Sequence, residues 1–157
     1  MPRTERTDVG GLVYHVINRA NARVQIFKSD QDYIAFEKVL SEAKERVAMR
    51  ILSYTIMPNH WHLALHPKED GDLARFMGWL TMTHTQRWHV VRGTVGEGHL
   101  YQGRYKSFIC QEDGHLLQLL RYIERNALRA NLVRRAENWR WSSVWRREQG
   151  TTEQKKL

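Results

Sequence analysis

Two histidines one residue apart, His60-Trp61-His62, and a tyrosine and an asparagine four apart, Tyr122 and Asn126, are the residues of this chain best suited to chemistry. Side chains alternate along a strand, so His60 and His62 share one face while Trp61 turns to the other with Leu63 and Leu65. Two imidazoles on a strand with an apolar opposite face are costly to bury without partners. A metal ion satisfies both, and neutral imidazole is the commonest protein metal ligand. The bland alternative is a pair of ordinary, partly solvated histidines, because a short motif carries a high false-positive rate. The turn Pro58-Asn59 immediately before the pair fixes its geometry better than chance would. His66 lies two pleats further along and reads as strand-end surface.

Tyr122 and Asn126 stack on one helical face, beside rather than within the apolar stripe of that helix. An amide oxygen one turn from a tyrosine can serve as a third metal ligand while the phenol faces the metal-bound group. A lone helical tyrosine is otherwise ordinary core with a wet hydroxyl.

The elements that must position these residues follow from periodicity. Leu12 to Arg19 is β-rich behind Gly10-Gly11 and predicts a first strand. Ser29 with Asp32 resembles a capping box, and Tyr33, Phe36, Leu40, Ala43 and Val47 fall at helical spacing behind it. Ile51 to Met57 and His60 to His66 predict a hairpin through Pro58-Asn59. Asp72 is placed to cap a second helix carrying Leu73, Phe76, Met77 and Leu80, and Gly93, Gly96 and Gly98 mark the loop after it. Arg104 to Gln111 predicts a fourth strand, and Leu116, Leu119, Leu120, Ile123 and Ala127 form the buried stripe of a third helix. The order β-α-β-β-α-β with an additional C-terminal helix is the ferredoxin-like α+β pattern, an antiparallel sheet with helices on one face. Residues 1–150 are expected to form one domain and the polar residues 151–157 a fraying tail.

The 25 Lys and Arg against 17 Asp and Glu give a net charge of +8, the footprint of a polyanionic partner such as nucleic acid. Between His99 and Arg147 ten basic residues face four acids, so this segment carries +6 of that charge. Arg104, Lys106, Arg121, Arg125 and Arg129 surround the Tyr122 helix and the fourth strand, and suit phosphate contacts. A run of charge is otherwise a solvated face. Arg140 and its neighbours interleave with Trp139, Trp141 and Trp145, which suits base stacking on unpaired strands or, equally, pins the C-terminal segment to the domain. Cys110 is the only cysteine, which excludes an intrachain disulfide and a cysteine-based zinc cluster. No secretory segment opens the chain and no apolar run approaches about 18 residues, so a soluble cytoplasmic protein without membrane contact is expected.

In Tyr14-His15-Val16, MPNHWHL from Met57, GRYKS from Gly103, RYIERN from Arg121, Arg129-Ala130, Leu132-Val133 and Trp141-Ser142-Ser143, the chain resembles the REP-associated tyrosine transposases. These belong to the single-tyrosine HUH transposases acting on single-stranded DNA. The resemblance implies that Tyr122 is the nucleophile, leaving a 5′-phosphotyrosine and a free 3′-OH. It implies that His60, His62 and Asn126 hold a divalent metal, Mg²⁺ or Mn²⁺. Imidazole suits zinc and later transition metals better than Mg²⁺, so a Mn²⁺ preference or inhibition by zinc is consistent with this ligand set. The implied partner is DNA, single-stranded and hairpin, with the enzyme a monomer or a homodimer. Three residues depart from the pattern: Ala127 in place of a proline, which would let the helix run on, Asn131 in place of a glycine, and Trp61 as a bulky spacer.

Two other classes compete. A hairpin-binding protein with an inactive site would not need the four site residues. A mononuclear zinc hydrolase would be poorly served by two histidines and an asparagine.

Overall fold

The strands alternate as their sequences demand. In the computed structural model, which describes residues 6–21, 24–111 and 114–157, β1 (Val13–Arg19) buries Tyr14, Val16 and Asn18 and turns His15, Ile17 and Arg19 to the other face. Strands β2 (Met49–Met57) and β3 (His60–Pro67) form a hairpin closed by Pro58-Asn59, with Met57 opposite His60. β4 (Lys106–Cys110) pairs with β1, giving a wholly antiparallel sheet of order β2-β3-β1-β4.

Helices α1 (Asp30–Arg46) and α2 (Asp72–Arg92) cover one face of this sheet. Phe36, Leu40, Phe76 and Leu80 meet Tyr14, Val16, Trp61, Leu63 and Leu65 there, all nearly solvent-free. Burial of such side chains contributes about 1.5–3 kcal/mol each. The expected cap of α2 is corrected. Gly71 is the N-cap residue and Asp72 the first helical one, while the Asp8 carboxylate accepts from the N–H groups of Leu73 and Ala74 at 3.1 and 3.0 Å. A carboxylate there satisfies orphan donors and the positive helix end together.

The expectation of helices on one face only is also corrected. α3 (His115–Glu124) and the single turn α4 (Asn126–Arg129) lie over part of the opposite face, held by the hydroxyl of Thr55 on β2, which donates to the Ile123 carbonyl at 2.7 Å. Of the predicted stripe on α3, Ile123 is buried, as is Ala127 in α4, whereas Leu116, Leu119 and Leu120 remain half-exposed. The helix does not run on through Ala127; it breaks at Arg125. The Asn126 side-chain amide donates to the carbonyls of Tyr122 and Ile123, each at 3.1 Å, the acceptors that a continuing helix would fill with its own N–H groups. Asn131 adopts a left-handed φ of 58°, which asparagine tolerates.

Beyond α4 the chain seals the β2 edge. Trp141 accepts from the Ile56 N–H at 2.8 Å, and the Trp139 indole donates to the Ile56 carbonyl at 2.9 Å. Trp141 stacks on Tyr33 at 4.7 Å between ring centres. Trp139 and Trp141 therefore pin this segment to the domain rather than offering faces to bases. Helix α5 (Ser143–Gln149) follows. The tail expected to fray forms a 3-10 turn, Gln154–Lys156, whose Lys156 carbonyl accepts from the Lys44 ammonium at 3.2 Å.

One buried polar chain crosses the core. The Trp61 indole donates to the Tyr101 hydroxyl at 3.0 Å, which in turn donates to His84 Nδ1 at 2.6 Å. Burial holds the His84 pKa down to about 3. The unfolded chain binds this proton below about pH 6.5 and the folded chain does not, so stability is full above that value and is lost as pH falls towards 3. At pH 5 His84 alone is expected to remove about 2 kcal/mol, read as a lower urea midpoint than at pH 7.5. A midpoint that does not move between these values would refute a neutral buried His84.

Candidate active site

The pairing of β1 with β3 sets Ile17 opposite His62 and Arg19 opposite His60. His15, Ile17 and Arg19 therefore share a face with His60 and His62, and Lys106 and Phe108 of β4 continue it. Over these residues lies a cavity of about 520 Å³ whose lining includes His15, His60, His62, Tyr122 and Asn126. The two halves of the site predicted from sequence thus meet, one on β3 and the other at the α3–α4 break. The lining contains no carboxylate, and Arg19 and Lys106 are its cations. Such a cavity suits an anion.

Tyr122 is 48% exposed, and its ring stands edge-on to His15 and His62, each 5.9 Å away between centres. Arg129 lies over the same ring, 4.1 Å from its centre, and donates to the Tyr122 carbonyl at 2.8 Å and to Asn126 Oδ1 at 3.1 Å. This arginine, expected at phosphate, holds both candidate residues of the helix. Replacement by alanine is expected to lower strand cleavage about 10- to 100-fold while leaving DNA affinity within a few-fold and its salt slope nearly unchanged. A phosphate contact would instead weaken binding and reduce the salt slope by about one.

His60 is half-buried and His62 is 3% exposed. Burial, aided by Arg19, pushes His60 down to about 4. Burial, reinforced by His15 and His60, pushes His62 down to about 3. Burial lowers His15 as well. All three are therefore neutral at neutral pH, the state that ligates metal. His60 Nδ1 lies 2.8 Å from Asn59 Oδ1; that oxygen can only accept, so Nδ1 carries the proton and Nε2 keeps its lone pair. These residues fit a divalent ion in part. They offer two neutral imidazoles and one amide oxygen, and no group of three or more His, Cys, Asp or Glu able to hold an ion occurs among the described residues. Substrate oxygens would have to complete the coordination.

The other predicted residues divide. Lys106 lines the cavity. Arg104 lines a neighbouring groove of about 690 Å³ between α2 and residues 98–105, which shares Asn18, Gln102 and Gly103 with it. Arg121 and Arg125 are exposed around the end of α3. Arg140 pairs with Glu37 at 3.6 Å and stacks on Trp141 and Trp145, away from the cavity lining. His66 stays apart from the site, 3.2 Å from the Gly11 carbonyl. Sequence reasoning missed His15, Arg19 and Phe108 as lining residues, because only strand register brings them here. No helix among the described residues is long and apolar enough to cross a membrane.

None of the curated protein sequences compared with the chain matches it. The fold resembles a REP-associated tyrosine transposase solved bound to a REP hairpin, with a TM-score of 0.76 and 17% identity over 93% of this chain and 84% of that one. It also resembles a putative transposase from Deinococcus radiodurans R1, with a TM-score of 0.54 and 20% identity over 79% of this chain and 97% of that one. At these identities the likeness is one of fold. The family model for IS200-like transposases matches residues 8–126, three quarters of the sequence and all four central residues of the site, and the chain belongs to that family.

Proposed function

We propose that this transposase cleaves and rejoins single-stranded DNA beside hairpins through a covalent bond to Tyr122, with residues 1–150 as its catalytic domain. The observation that carries the reading is that Tyr122, His60, His62 and Asn126 line one and the same cavity, whose lining carries no acidic side chain. The hairpin is inferred from the structural neighbour, which was solved with a REP hairpin.

In this mechanism the Tyr122 hydroxyl oxygen bonds to the phosphorus of the scissile phosphate. The P–O3′ bond breaks, the 3′ oxygen takes up a proton, and the phenolic proton is released. The 5′ end stays on Tyr122 as a phosphodiester, so a later 3′-OH can displace the tyrosine without an external energy source. A divalent ion, Mg²⁺ or Mn²⁺, held by His60, His62 and Asn126 would polarise the phosphate and offset the charge that develops on its oxygens. Arg19, not among the residues predicted from sequence, and Lys106 bind the flanking phosphates at the cavity rim. Arg104, Arg121 and Arg125 extend that contact along the strand. Arg129 keeps the phenol aimed into the cavity. Tyr122 stands 5.9 Å from His62 between ring centres within one chain, a placement compatible with action in cis.

The test is direct. Protein incubated with Mn²⁺ and an oligonucleotide carrying a hairpin and unpaired flanks is denatured and digested, and the peptides are sequenced by mass spectrometry. A nucleotide on the peptide containing Tyr122 is expected. Tight hairpin binding with no adduct and no cleavage in Mg²⁺ or Mn²⁺ would favour a binding protein instead.

A further inference from the structure

We infer that His15 is a positioning residue, holding His62 in the one neutral tautomer whose Nε2 is free to bind metal. The inference rests on the proposed metal role of His60 and His62.

His15 Nε2 lies 2.9 Å from His62 Nδ1, so the two rings share one proton. Their planes are 18° from parallel, with centres 5.1 Å apart. Register explains the contact. Ile17 is directly opposite His62, and His15, two residues earlier on the same face, is its diagonal neighbour. His62 is almost solvent-free, and among the described residues its ring has no other hydrogen-bond partner, so the bond to His15 is the one contact that couples to its tautomer.

Two arrangements satisfy that bond. If His15 Nε2–H donates, a neutral His62 must carry its own proton on Nε2, and no lone pair is left for an ion. If His62 Nδ1–H donates, Nε2 is free. Asn59 already imposes the second arrangement on His60, because its carbonyl oxygen cannot donate. A pair of ligands presenting Nε2 therefore requires His15 to accept, with its own proton on Nδ1. Phe108 and Tyr122 pack against the His15 ring, with centres 6.1 and 5.9 Å away, and fix its plane. Partners behind metal-binding histidines act in this way, and their loss costs about 10- to 100-fold in metal affinity.

The experiment compares wild type with His15→Phe, which keeps a planar ring but removes the acceptor, and His15→Gln, whose side-chain oxygen reaches about as far as the lost Nε2. Imidazole ¹⁵N NMR of the metal-free proteins reads the His62 tautomer, and calorimetric titration with Mn²⁺ alone reads affinity. We expect His62 as the Nδ1–H tautomer in wild type. His15→Phe should shift it towards Nε2–H and weaken Mn²⁺ about 10-fold or more, and His15→Gln should recover most of both. Wild-type His62 protonated on Nε2, or unchanged Mn²⁺ affinity in a folded His15→Phe protein, would overturn the inference. The control separates it from the reading beneath. Mn²⁺ binding indifferent to both His60→Ala and His62→Ala removes the metal site itself, whereas binding lost in those variants and kept in His15→Phe removes only the role of His15.

Discussion

Replacing Tyr122 with phenylalanine is expected to abolish the covalent protein–DNA adduct and strand cleavage, by about 10⁴-fold or more, while hairpin affinity changes less than about two-fold. The substitution is unusually clean at this position. Phenylalanine keeps the ring that stands edge-on to His15 and His62 and that Arg129 covers at 4.1 Å, so packing and the cation–π contact persist. The side chain is about half exposed and its hydroxyl has no hydrogen-bond partner among the described residues, so stability should move by no more than about 0.5 kcal/mol. What disappears is the oxygen proposed to bond phosphorus. A denaturing gel with labelled hairpin DNA reads the adduct, and binding in the same buffer shows that substrate still docks. An undiminished adduct in Tyr122→Phe would reject the assignment and move the search to another nucleophile.

Why the site was legible in part follows from which physical periods reach across the chain. Period two on β3 places His60 and His62 together without reference to any other element, and period 3.6 does the same for Tyr122 and Asn126. Their meeting could be expected only through resemblance, since nothing local ties the β2–β3 hairpin to α3; in the structure the tie is the Thr55 hydroxyl of β2 on the Ile123 carbonyl. His15 was invisible as a site residue because strand pairing has no local signature, and a one-residue slip of β1 against β3 would turn it to the opposite face. Arg140 shows the converse. Arginine between tryptophans has the same composition at a nucleic-acid surface as over a buried carboxylate, and only the fold brings Glu37 beneath it. The break after Glu124 has a similar origin: Ala127 favours helix, but the Asn126 amide captures the carbonyls that continuation needs.

Replacing Glu37 with alanine is expected to destabilise the fold by about 3–5 kcal/mol, lowering Tm by about 10 °C or more. Glu37 is 4% exposed on the inner side of α1. One of its oxygens accepts from the Tyr54 hydroxyl at 2.8 Å and from Arg146 Nε at 3.1 Å, and the other faces Arg140 at 3.6 Å. Burial, with Glu37 beside it, raises the Tyr54 pKa far above the ordinary tyrosine value, so its hydroxyl remains a donor that needs this acceptor. Truncation would strand two largely covered guanidinium groups and one buried hydroxyl, whose desolvation is then uncompensated. Glutamine keeps the shape and an acceptor oxygen, and is expected to cost only about 1–2 kcal/mol. The loss should fall on the seam joining α1, β2 and α5, remote from the cavity, so cleavage per folded molecule should stay within a few-fold of wild type. Urea unfolding followed by tryptophan fluorescence measures it. A Glu37→Ala protein within 1 kcal/mol of wild type would mean that these arginines find water or other partners, and that the seam is held by the stacked rings of Tyr33 and Trp141 rather than by charge.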